Sequence, residues 1–114
     1  MNGTGTSPLA ARDLAKSIAS GERSALEATV QVIARIEAVN PALNAVVAKR
    51  YDAARGEARE IDARRLRGER LGPLAGVPIT VKECLDVAGL PSAYGLAWRR
   101  DHRVCGTPRC RPGT

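Results

Sequence analysis

The chain has 114 residues, 44% of them apolar, with a formal net charge of +6 and no Phe, two Tyr and one Trp. This length suits one modest domain or part of a larger one, and a core of Ala, Val, Leu and Ile gains less burial per side chain than one anchored by aromatics. No stretch approaches the roughly 20 apolar residues of a membrane helix, nothing resembles a secretory signal, and three cysteines, an odd number, argue against a secreted disulfide scaffold. A soluble cytoplasmic protein with no membrane partner is the expectation.

The first helix is expected to start at Ser7-Pro8, where Ser caps and Pro takes the first helical position. Leu9, Leu14 and Ile18 fall roughly on one side, and Gly21 ends the helix. The second is the clearest element. Ser24 with Glu27 three residues on forms a capping box, and Leu26, Val30, Ile33 and Ile36 make one apolar stripe. Asn40-Pro41 is expected to stop it, because the residue before proline is pushed out of the helical region. A third helix is expected from about Lys49 to Arg67, with Ala54, Ala58 and Ile61 on its buried side and Gly68 closing it. Its apolar stripe is weak, which predicts shallow packing.

After Gly68 the texture changes. Leu71 to Gly76 is punctuated by Gly and Pro, as turns are. Val77-Pro78-Ile79-Thr80-Val81 reads as a short strand, with Pro78 at its start or at an edge. Three helices and one strand cannot close an α/β domain, because a lone strand leaves its backbone groups unpaired. The expectation is an α/β fold whose helices lead into a first strand, incomplete within this chain.

Lys82 follows that strand directly. Burial disfavours an ammonium, so a lysine at the end of a buried strand is suited to act as a base near neutral pH; the plainer alternative is a strand-end lysine whose head reaches water. The stretch Gly72-Pro73-Leu74-Ala75-Gly76-Val77-Pro78-Ile79-Thr80-Val81-Lys82-Glu83 resembles the segment around the base lysine of amidase-signature enzymes. Upstream, the capped helix, Arg35-Ile36-Glu37 and Asn40-Pro41-x-x-Asn44-Ala45 are similar to that family's N-terminal helices and the turn after them. Downstream, Gly89, Ser92 and Gly95 resemble the loop after the lysine, with Ala93 in place of a second hydroxyl. The resemblance spans roughly residues 8–101, with residues 1–103 as the N-terminal part of an amidase-signature domain and its mixed sheet.

The resemblance implies an amide (carbon–nitrogen bond) hydrolase with a Ser-Ser-Lys mechanism, in which Lys82 is the general base acting through a bridging serine on a nucleophilic serine. The partner implied is a small-molecule amide substrate, with no cofactor and no metal. The family's two serines lie in a Gly-Gly-Ser-Ser-Gly-Gly-like stretch, and these 114 residues contain none. Ser92, the sole serine after Lys82, has no glycine-rich oxyanion cradle around it. The chain by itself is therefore expected to be inactive. A stand-alone amidase is not separable here from the catalytic component of a tRNA-dependent amidotransferase, and the oligomeric state is open.

Residues 104–114 read as an irregular tail rich in Arg, Pro, Cys and Gly, the composition of an out-of-frame segment. A zinc site of His102, Cys105 and Cys110 is the competing chemistry, but a structural site wants four ligands and the spacing matches no common finger. Cys84 is expected to be a small buried residue beside the strand. The alternative to an enzyme segment is a small basic helical module that binds nucleic acid or a protein partner without catalysis, carried by Arg64, Arg65, Arg67 and Arg70 and by the arginines from Arg99 to Arg111. A solvated helix face explains the first cluster better, since Glu57, Glu60 and Asp62 share that helix and aromatics for base stacking are nearly absent. Use of the Leu26–Ile36 stripe for dimerisation is the remaining alternative.

Overall fold

A computed structural model describes residues 10–104, which fall into two compact units, one ending at Pro78 and the other beginning at Ile79. The first unit holds three helices: α1 (Ala11–Ser20), α2 (Ala25–Leu43) and α3 (Tyr51–Leu66). The expected start of α1 at Ser7-Pro8, and Leu9 with it, lies outside the described residues. Its end falls where expected. Gly21 adopts φ 81°, a left-handed cap, and donates its N–H to the Ile18 carbonyl.

The N-terminus of α2 is satisfied twice over. Ser24 Oγ accepts from the Glu27 N–H at 3.0 Å, and the Glu27 carboxylate accepts from the Ser24 N–H at 3.0 Å, as the capping box requires. The N–H groups of Ala25 and Leu26 donate to the two carboxylate oxygens of Asp62 on α3, at 2.8 and 3.1 Å. A carboxylate opposing the positive end of a helix dipole strengthens both bonds. Asp62→Ala should therefore cost about 2 kcal/mol of unfolding free energy, the sum expected for a lost cap with charge-assisted bonds. A urea titration measures it, and an unchanged midpoint would count against the capping role.

Two expectations for α2 need correction. The helix runs through Pro41 to Leu43 instead of stopping at Asn40. Proline removes the bond to the Glu37 carbonyl, and Glu37 is exposed, so that carbonyl is not left unpaired in a dry interior. Asn44 then caps in the left-handed region at φ 49°, and the Asn40 side chain bonds both the N–H and the carbonyl of Val46 at 2.8 and 2.9 Å. The stripe is also rotated. The buried residues are Ala25, Ala28, Thr29 and Ile33, whereas Val30 is 44% exposed. Small side chains let α3 approach closely along the alanine face, and Ala58 packs there with Ile18, Ala25 and Ala28, flanked by Leu14, Leu26, Ile61 and Val77. Ala54 and Ile61 are only half-buried, so α3 packs shallowly, as its composition predicts.

Gly72 to Val77 forms two successive turns, with Ala75 N–H on the Gly72 carbonyl and Val77 N–H on the Leu74 carbonyl. Among the described residues there is no strand: 77–82 carries no ladder, and the single bridge pairs Pro91 with Arg103 in antiparallel fashion. An extended segment becomes a strand only when a neighbour accepts its backbone bonds. The expected strand at Val77–Val81 is in this sense corrected to an unpaired segment. No helix among the described residues is long and apolar enough to cross a membrane.

Candidate functional site

Lys82 belongs to the second unit. It is exposed, and its carbonyl accepts the Leu85 N–H at 2.8 Å, which turns the chain immediately after it. Among the described residues no carboxylate lies within ion-pair distance of its amine. The burial expected at the end of a covered strand is absent from the described residues.

The loop that follows is held by two carboxylates. Glu83 Oε1 accepts the N–H groups of Ala93 and Tyr94, the latter at 3.0 Å. Asp86 Oδ1 accepts from Ser92 Oγ at 2.6 Å, and the Ser92 N–H donates to the His102 carbonyl. Residues 89–92 thus lie antiparallel to 102–104, closed further by Gly89 N–H on the Val104 carbonyl and by Arg103 on the Gly89 carbonyl. Ser92 is 1% exposed with its hydroxyl committed to Asp86. Its hydroxyl is thus shielded from solvent and partnered by a carboxylate, with no lysine or histidine in hydrogen-bond contact among the described residues. No signal in the sequence announces these ties, because Glu83 and Asp86 reach partners ten and six residues away.

Cys84 is exposed, not buried as expected, because the chain turns at 83–85 where a covered strand would have sheltered it. His102 is exposed as well, while Cys105 and Cys110, with the rest of the expected irregular tail after Val104, lie outside the described residues. Among the described residues no cluster of His, Cys, Asp or Glu has metal-binding geometry.

Part of the basic helix face is paired with acidic side chains of the same segment. Arg64 and Arg67 each bond Glu69 at 2.7 Å, Arg67 also bonds Glu60, and Arg50 pairs with Glu57. Hydrogen bonds from Arg64 and then Arg67 hold the Glu69 carboxyl below the usual carboxylate range. A lowered folded-state pKa means that this contribution is present above the ordinary carboxylate value and is lost as pH falls through the folded one. The stability difference between the wild type and Glu69→Gln should accordingly be seen at neutral pH and shrink to nothing in acid. Midpoints measured across that range check it; a difference independent of pH would contradict it.

The profile of one protein family, Amidase, matches residues 27–104. The chain belongs to the amidase-signature family. It is 42% identical over 87 residues to a glutamyl-tRNA(Gln) amidotransferase component of Streptomyces coelicolor, covering 76% of this chain and 18% of that protein. It is 38% identical over 98 residues to an acylamidase of Rhodococcus erythropolis, covering 86% and 20%. A fatty-acid amide hydrolase 2-A of Danio rerio is 41% identical over 102 residues, covering 82% and 19%. A solved chain from a vestigial protein complex, studied for the evolutionary origins of an s-triazine catabolic enzyme, superposes with a TM-score of 0.81 at 34% identity, over 87% of this chain and 22% of that one. The chain spans about a fifth of the length of the curated relatives it matches. Kinship to amide hydrolases follows from these matches.

Proposed function

We propose that this amidase-family chain supplies the base, Lys82, of a serine-dependent amide hydrolase with an α/β fold, and that residues 1–103 are the N-terminal part of that domain. The observation that carries this reading is the stretch Gly72–Glu83, inside the segment that the family profile covers, with a Lys82 that has no carboxylate partner among the described residues. In the reaction, Lys82 takes the proton of a nucleophilic serine through a bridging serine, and the alkoxide attacks the amide carbonyl. The proton goes to the departing amine, and water then hydrolyses the acyl-enzyme. Neither serine is supplied by these 114 residues, so the chain by itself turns over nothing. The substrate class is an acyl amide, in keeping with relatives named acylamidase and fatty-acid amide hydrolase.

The test is a graft. Residues 10–104 replace the matching segment of the Rhodococcus erythropolis acylamidase, and hydrolysis of a chromogenic acyl anilide is followed for the graft and for the 114-residue chain alone. Activity in the graft and none in the lone chain is the expected result. A lone chain that hydrolyses the anilide, and loses that activity with Ser92→Ala, would sink the reading.

A further inference from the structure

Glu83 stands next to Lys82 yet makes no ion pair with it within the described residues. Its carboxylate instead bridges two consecutive backbone N–H groups, those of Ala93 and Tyr94, through one oxygen. Two successive N–H groups converging on an anion form a backbone nest, and Tyr94 completes the turn at φ 53°, a conformation that non-glycine residues rarely adopt. An anion there stabilises what would otherwise be a strained loop. Asp86 adds a second tie, to the buried Ser92. The peptide that carries Lys82 is thus pinned to the 92–95 loop by the side chain of the very next residue.

We infer that Glu83 is a positioning residue for Lys82: by filling the Ala93–Tyr94 nest it fixes the backbone from which the lysine projects and keeps its own carboxylate off the amine. A carboxylate free to swing would pair with the ammonium and favour its protonated form, which cannot accept a proton. Bound in the nest, it is held by two N–H groups instead. The inference rests on the reading of Lys82 as base.

Two measurements test it. The first is amide hydrogen exchange in the full 114-residue chain carrying Glu83→Gln. Exchange at Ala93 and Tyr94 should accelerate by about tenfold or more, as expected for loss of charge-assisted bonds, while α1 to α3 keep their protection. Unchanged exchange at the two amides would overturn the proposal without any activity assay. The second uses the acylamidase graft, where Glu83→Gln should lower kcat by about 10- to 100-fold, the scale of a misplaced reacting group, with KM little altered. In the same graft Glu83→Asp, too short to fill the nest, should leave a carboxylate free to pair with the amine. The acidic limb of its pH–kcat profile should then move to higher pH, which a purely structural prop would not do. A fully active Glu83→Gln graft beside an inactive Lys82→Ala graft would overturn the positioning role alone. A fully active Lys82→Ala graft would overturn the base reading and this inference with it.

Discussion

In the acylamidase graft, Lys82→Ala is expected to cut kcat by on the order of 10^2- to 10^4-fold, the contribution of a positioned general base, with a smaller change in KM. A serine hydroxyl is a weak nucleophile until a neighbouring group removes its proton. Lys82→Arg is the sharper variant. Arginine keeps the positive charge and most of the length, but its guanidinium is not deprotonated in proteins and has no acceptor. If Lys82 removes a proton, the arginine variant should be as inactive as the alanine one. If Lys82 only places a charge near the substrate, arginine should restore most of the rate. A lysine that merely extends to water from this segment would leave both variants at the parent rate.

Gly76→Ala should lower the stability of the helical unit by about 2–4 kcal/mol. Two effects add: the left-handed backbone costs a residue with a Cβ roughly 1 kcal/mol or more, and overpacking costs about 1–3 kcal/mol. Gly76 has φ 84°, and a Cβ there would lie 2.8 Å from Ala25 Cβ, 3.1 Å from Ile18 Cγ2 and 3.3 Å from Ile61 Cγ2. Ile18 and Ala25 belong to the packed centre of the unit and Ile61 flanks it, so little can give at the two closest contacts. For a unit of this size each kcal/mol moves the thermal midpoint by about 4–8 °C, so the midpoint should fall by about 8–30 °C. Two other glycines separate the causes. Gly68 has φ 73° with open space around it, and Gly72 has neither a positive φ nor a neighbour within 4 Å. The losses should therefore rank Gly72→Ala, Gly68→Ala, Gly76→Ala in increasing order. Equal losses at Gly68 and Gly76 would mean that the turn does not rest on α1, α2 and α3 as described.

Local signals in the sequence carry well into the structure. The Ser24–Glu27 box, the glycine stops at Gly21 and Gly68 and the span of α3 depend on residues three or four apart, where chemistry acts without help from the rest of the chain. What stays illegible depends on distant partners. The stripe through Leu26, Val30, Ile33 and Ile36 follows from side-chain size, but the helix buries the face where alanines permit close approach, and only α3 decides that. Pro41 looks like a stop because its cost is local, while the Asn40 and Asn44 contacts that offset it are made at and beyond the helix end. Lys82 stands out through resemblance to a family, not through periodicity. The carboxylate ties of Glu83 and Asp86 stay hidden because nothing in the spacing of an acidic residue names the amide or hydroxyl it will meet.

The Asp62 carboxylate joins residues 37 positions apart in the chain. Fraying of α3 at that point leaves the first two amides of α2 without acceptors, and loosening of α2 strands a half-buried charge on α3. Neither helix can open alone without exposing a defect in the other. The pair is therefore expected to open as a single cooperative unit, with the slowest-exchanging amides of α2 and α3 sharing one opening free energy.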